Sequence, residues 1–168
     1  MLIVLGGLPG VGKTTIAREL ARQIGAVHVR IDSIEEALRA SGTARGPMDD
    51  SGYRVAYAIA EDNLRLGRTV IADSVNPLPI TRDAWVGVAT RTLSTAIEFE
   101  IICSDREEHQ RRVETRPADI AGSTSLTWQE VVARDYRPWD RERVVIDTAR
   151  RSLDDSVKTL IGYLRSTI

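Results

Sequence analysis

A doubly wound α/β fold with a five-stranded parallel sheet is predicted by three observations. Apolar, strand-length runs alternate with stretches of helical periodicity along most of the chain. The first run, Leu2-Ile3-Val4-Leu5, leads directly into Gly7-Leu8-Pro9-Gly10-Val11-Gly12-Lys13-Thr14. A helical pattern then follows in the order strand, glycine loop, helix.

The elements follow in order. Leu2–Leu5 reads as a buried parallel strand. Ile16, Ala17, Leu20, Ala21 and Ile24 recur at helical spacing over 13–24, and Gly25 stands at the cap position. Further strands are predicted over 27–31, 69–72, 97–103 and 144–146, and helices over 33–40, 52–66, 81–91, 105–115, 128–136 and 153–165. Three helices start with a capping signal: Ser104 with Glu107, Thr127 with Glu130, and Ser152 with Asp155. Leu153, Val157, Leu160, Ile161 and Leu164 form a stripe that reads as packing against the sheet.

With 168 residues, the chain is expected to form one domain over 1–168, with a short lid near 112–127. No bilayer-length apolar stretch and no signal-type start are present, so a cytoplasmic protein, monomeric or homodimeric, is expected. Cys103 is the sole cysteine, which excludes an intramolecular disulfide, and His28 and His109 make a poor metal site. A net charge of −1 gives no general electrostatic reason to bind nucleic acid.

The glycine loop carries the chemistry. Gly, four free positions, Gly, Lys and Thr is the phosphate-binding P-loop pattern, matched in full by Gly7–Thr14. Glycines let backbone N–H groups close around a polyphosphate. The cradle runs through Gly7, Leu8, Pro9, Gly10, Val11, Gly12, Lys13, Thr14 and Thr15, at the positive end of the following helix. Lys13 is placed to meet the β and γ phosphates, and Thr14 to give its hydroxyl to Mg²⁺. An ordinary strand-to-helix turn is the bland alternative. Lys13 is one of two lysines in an arginine-using chain, which favours the nucleotide reading.

Ligands of open parallel sheets bind beyond the carboxyl ends of the strands, where Asp32, Asp73 and Asp147 are expected. Asp73 has the form of a magnesium-holding acid, or else caps the next turn. Asp32 is a candidate base for an acceptor hydroxyl, or else a helix cap. Asp147 is expected near the nucleotide base or capping a turn. Arg106, Arg111, Arg112 and Arg116 cluster before the suspected lid. Arg112 and Arg116 share a helix face and could neutralise a transferred phosphoryl group; pairs such as Glu108 with Arg112 on a solvated face are the alternative. Asn76 and Arg82 either point at an acceptor or build a turn. Trp128, Tyr136 and Trp139 either stack on a ligand or pack. The polar stretches 41–51 and 117–125 either cover substrate or merely connect elements.

Taken together, Gly7–Thr14, Ile31-Asp32-Ser33, Ala72-Asp73-Ser74-Val75-Asn76-Pro77 and the arginine-rich segment ending at Arg116 resemble the AAA-domain predicted kinases. These small P-loop kinases are related to polynucleotide 5′-hydroxyl kinases, zeta toxins and chloramphenicol phosphotransferases. The resemblance spans essentially the whole chain. It implies a P-loop kinase fold and ATP- and Mg²⁺-dependent phosphoryl transfer to a hydroxyl, with Asp32 as base and Arg112 or Arg116 as lid arginines. Polynucleotide kinases usually carry Asp-Thr-Asn after the third strand, where this chain has Asp73-Ser74-Val75-Asn76. A small-molecule hydroxyl acceptor is therefore expected. The alternatives are a nucleoside or nucleotide kinase, a nucleic-acid 5′-hydroxyl kinase, and a nucleotide-binding regulatory or toxin-like protein.

Overall fold

The computed structural model describes residues 1–42, 50–115, 117, 120 and 126–167. Its elements run β1 (Leu2–Gly6), α1 (Lys13–Ile24), β2 (Val27–Arg30), α2 (Ile31–Ala40), α3 (Ser51–Arg65), β3 (Val70–Asp73) and α4 (Pro79–Arg91). Then follow β4 (Ala96–Ile102), α5 (Arg106–Thr115), α6 (Trp128–Val132), β5 (Val144–Asp147) and α7 (Leu153–Thr167). All strand pairs are parallel, in the order β2-β3-β1-β4-β5. The predicted α/β class and strand number are observed.

Alternation along the central strand β1 sorts the helices onto two faces, because neighbouring side chains on a strand point to opposite sides. Ile3 and Leu5 join Ile16, Ala17 and Leu20 of α1 and Val157, Leu160 and Leu164 of α7 in one core. Leu2 and Val4 join Ala56, Ala60 and Leu64 of α3 and Trp85, Val88 and Ala89 of α4 in the other. Leu5 is fully buried, so Leu5→Ala would cost about 2–5 kcal/mol. With both faces covered, β1 and β3 are buried along their whole length, which explains their apolar character up to Asp73 at the end of β3.

Helix ends follow local chemistry, with three departures from expectation. Helix α2 begins at Ile31, so Asp32 lies inside its first turn and makes no side-chain cap. Helix α6 stops at Val132, short of Tyr136, although the capping box of Thr127 and Glu130 forms as expected. At α5, Asp105 Oδ1 accepts from the Glu108 N–H (3.1 Å), while Ser104 turns to Asp147. Ser152 does cap α7, accepting from the Asp155 N–H at 3.1 Å. Of the two polar stretches, residues 43–49, 118–119 and 121–125 lie outside the described residues. Among those described, no helix is long and apolar enough to cross a membrane.

Candidate active site

Beyond the carboxyl end of β1 the chain folds over itself as the glycine loop. Gly7 takes φ +139°, and a Cβ there would stand 2.1 Å from the Ile101 carbonyl oxygen. Gly10 takes φ +85°, and its Cβ would meet Val113 Cγ2 at 2.5 Å. Neither position admits a side chain, so the loop requires glycine for both conformation and space. Helix α1 starts at Lys13, directing its free N–H groups at the same hollow. Lys13 is buried, and its Nζ donates to the Leu8 carbonyl at 2.9 Å.

Asp73 ends β3 beside this loop, buried to 3 % exposure. His28 Nε2 lies 3.1 Å from Asp73 Oδ2. Burial opposes ionisation of Asp73. Hydrogen bonds from His28 and Thr14, with the charge of Lys13, outweigh it and hold the carboxyl below its ordinary value. Thr14 and Asp73, both predicted to hold magnesium, are thus brought together. A hydroxyl and an ionised carboxylate are oxygen donors of the kind Mg²⁺ takes, so the set fits that ion.

Asp32 lies in the first turn of α2, just past β2, 53 % exposed, with Asp32 Oδ2 3.5 Å from Arg30 Nη2. One turn on, Glu35 packs against Gly52 of α3. Burial and the charge of Asp32 push its carboxyl up, with Arg39 and Arg134 pulling the other way. Next to Gly52, the Tyr53 phenol accepts the Asn76 N–H at 3.2 Å, and burial pushes it up to about 12. Asp32, Glu35 and Tyr53 thus mark a polar corner formed by α2 and α3 at the β2–β3 end of the sheet.

Most of the remaining candidate positions are engaged within the fold. Arg82 is fully buried and donates to four backbone carbonyls, of Asn76 (3.0 Å), Pro138 (3.0 Å), Pro77 (3.2 Å) and Arg137 (2.6 Å). Asn76 is equally buried, donating to Leu5 and accepting from Trp85. Both are architectural, not acceptor contacts. Trp139 lies over the Arg82 guanidinium, 4.4 Å to the ring centroid, and its N–H reaches Tyr136. Trp128 packs edge-on to His109. Asp147 accepts from Ser104 and the Ala149 N–H, capping a turn. Arg112 pairs with Glu108 at 2.5 Å and bonds Thr148; Arg111 is exposed, and Arg116 lies outside the described residues.

Sequence reasoning missed His28, Glu35, Tyr53, His109 and Thr148. His109 Nε2 stands 2.8 Å from the Pro9 carbonyl oxygen, and Thr148 Oγ1 donates to Val11 at 2.9 Å. The only advance signal was that both histidines are rare residues in otherwise ordinary elements.

A family model described as AAA domain matches residues 2–138. The chain belongs to this family. Its fold is that of the small P-loop kinases. The Mycobacterium tuberculosis APS kinase CysC, in complex with AMPPNP and APS, superposes with a TM-score of 0.73 at 18% identity, covering 98% of this chain and 96% of that one. A Pseudomonas aeruginosa protein described as "Probable adenylyl-sulfate kinase" is 25% identical over 92% of this chain and 72% of its own length. An uncharacterised Mycobacterium tuberculosis protein is 33% identical over 110 residues, 58% of this AAA-domain chain. That match spans about a fifth, 22%, of the relative's length.

Proposed function

We propose that this AAA-domain protein is an ATP- and Mg²⁺-dependent phosphotransferase that moves the γ-phosphoryl group to a hydroxyl of a small molecule. One observation carries the reading. The Gly7–Thr14 loop, in which Gly7 and Gly10 leave no room for a side chain, sets Lys13 and Thr14 beside the ionised, buried Asp73.

In this reading the loop N–H groups and Lys13 bind the phosphates and offset the charge that builds on them during transfer. Thr14 and Asp73 would hold Mg²⁺, which when bound draws charge from the phosphate oxygens. Asp32, exposed in the first turn of α2, holds and then takes the acceptor's hydroxyl proton. As it does so, the hydroxyl oxygen bonds to the γ phosphorus, and the bond from phosphorus to the bridging oxygen breaks, leaving ADP. Catalysis is then mostly positioning and electrostatics. The near-neutral chain and the compact corner of Asp32, Glu35 and Tyr53 favour a small acceptor over a nucleic acid.

The test is ADP formation from Mg·ATP against pooled sugars, antibiotics, nucleosides, nucleotides and 5′-hydroxyl oligonucleotides, with Lys13→Ala as control. Acceptor-dependent ADP formation that vanishes in the control supports the kinase and names its acceptor. ATP binding without consumption in every pool would sink it in favour of a regulator.

A further inference from the structure

The outer side of the phosphate loop is tied down at two alternate carbonyls, both by side chains that come from elsewhere in the chain. The first is Pro9. His109, in the middle of α5 and 6 % exposed, places Nε2 2.8 Å from the Pro9 oxygen. A carbonyl only accepts, so Nε2 carries the proton and donates. The ring is fixed from the side by Trp128, edge-on at 5.0 Å between centroids. The second is Val11. Thr148, buried just after β5, offers its hydroxyl proton to the Val11 oxygen (2.9 Å) and the Ile102 oxygen (3.0 Å). Arg112 Nη1 in turn donates to Thr148 Oγ1 at 2.8 Å, and Arg112 Nη2 to the Thr148 carbonyl at 3.0 Å.

His109 and Arg112 are three residues apart on α5 and share a face. One helix therefore grips the loop twice, directly at Pro9 and through Thr148 at Val11. The peptide bonds are trans, so each C=O points opposite to the N–H of the same peptide unit. Holding the Pro9 and Val11 oxygens outward turns the N–H groups of Gly10 and Gly12 to the other side, into the hollow of the loop. A pocket of about 110 Å³ adjoins the loop, lined by Gly7, Leu8, Val11, Ile101, Cys103 and His109 among others.

We propose that His109 and Thr148 are positioning residues that set the Gly10 and Gly12 amides for polyphosphate, and that Arg112 acts through Thr148 as part of this brace. The inference rests on the loop being a phosphate site and adds what orients it. Arg112 then works from behind the loop, not over the transferred group.

Binding of Mg·ATP and, separately, of inorganic tripolyphosphate is measured on wild type, His109→Phe, His109→Gln and Thr148→Val. Phe keeps the ring beside Trp128 and loses the donor; Gln restores a donor at the same reach. His109→Phe and Thr148→Val are each expected to weaken both ligands about tenfold, the worth of one hydrogen bond. His109→Gln is expected to return to near wild type, and a merely structural role would show no such rescue. Wild-type affinity in His109→Phe, or equal loss in Phe and Gln, overturns the brace. Should wild type bind neither ligand, the kinase reading falls, and the brace is decided in ligand-free protein. There the amide–α couplings of Gly10, which report its φ, must change in His109→Phe and recover in His109→Gln; unchanged couplings overturn it.

Discussion

His28 Nε2 sits 3.1 Å from Asp73 Oδ2, across the seam between β2 and β3. Register explains the meeting: Arg30 pairs with Asp73 and His28 with Ile71, so His28 lies two residues below Asp73 on the same face. The contact occupies Oδ2 of the carboxylate, whose remaining lone pairs serve Thr14 and, in the proposed function, the metal. Such an outer partner commonly sets metal affinity by tenfold or more. We expect His28→Ala to raise the Mg²⁺ concentration for half-maximal activity about tenfold. ATP binding without metal is expected to change little. An unaltered Mg²⁺ titration would remove His28 from the site.

Asp32 is exposed and only loosely tied to Arg30 at 3.5 Å, which suits the proton exchange proposed for it. Asp32→Asn preserves shape and removes the proposed base. Turnover is expected to fall about 10²- to 10⁴-fold, with ATP affinity held within about twofold. Steady-state rates and equilibrium ATP binding check this together; a parallel loss of both would point to structural damage, and unchanged turnover would dismiss Asp32 as the base.

How far the sequence was legible depends on whether a feature is local. The P-loop, its strand and its helix are set by consecutive residues, and α1 begins at Lys13 and ends at Ile24 as its periodicity predicts. Parallel pairing is not local. That His28 would face Asp73 follows from the β2–β3 register, and that His109 would reach Pro9 follows from where α5 docks, 100 residues away. Arg82 misled for a related reason. An arginine near a strand end reads as a ligand contact until the segment 136–139 is seen closing over it. Thr14 and Asp73 meet across the end of β3, while Asp32 stands half-exposed in the first turn of α2.

Arg82 anchors two segments of the fold to one another. It is wholly buried, and its guanidinium serves four carbonyls of the Asn76–Pro77 and Arg137–Pro138 segments. Removing it strands those acceptors and opens a gap under Trp139. Arg82→Met is expected to cost about 3–5 kcal/mol, which lowers the melting temperature by roughly 10 °C in a chain of this size. Arg82→Lys is expected to rescue little, since one ammonium cannot reach four acceptors in a fork. A melting curve within a few degrees of wild type for Arg82→Met would show that water or rearranged backbone replaces it.

Glu98 gives the fold a pH dependence that can be isolated. On β4 its Oε1 is buried without a hydrogen-bond partner among the described residues. Burial raises its carboxyl above the ordinary 4.5, helped by Asp83 and Asp140 and opposed by Arg141 and Arg82. A raised acid favours the protonated form in the folded state. Its stabilising contribution is therefore complete below the ordinary value and is lost as pH climbs through the raised one. Glu98→Gln keeps the shape and cannot ionise. Near pH 4 wild type and variant should melt together; as pH climbs above that, the variant should melt increasingly higher, since wild type alone must carry the partly buried charge. Thermal melts across this range decide the matter. A constant difference between the two proteins would mean that Arg141 and Arg82 neutralise Glu98 fully, and that its ionisation costs the fold nothing.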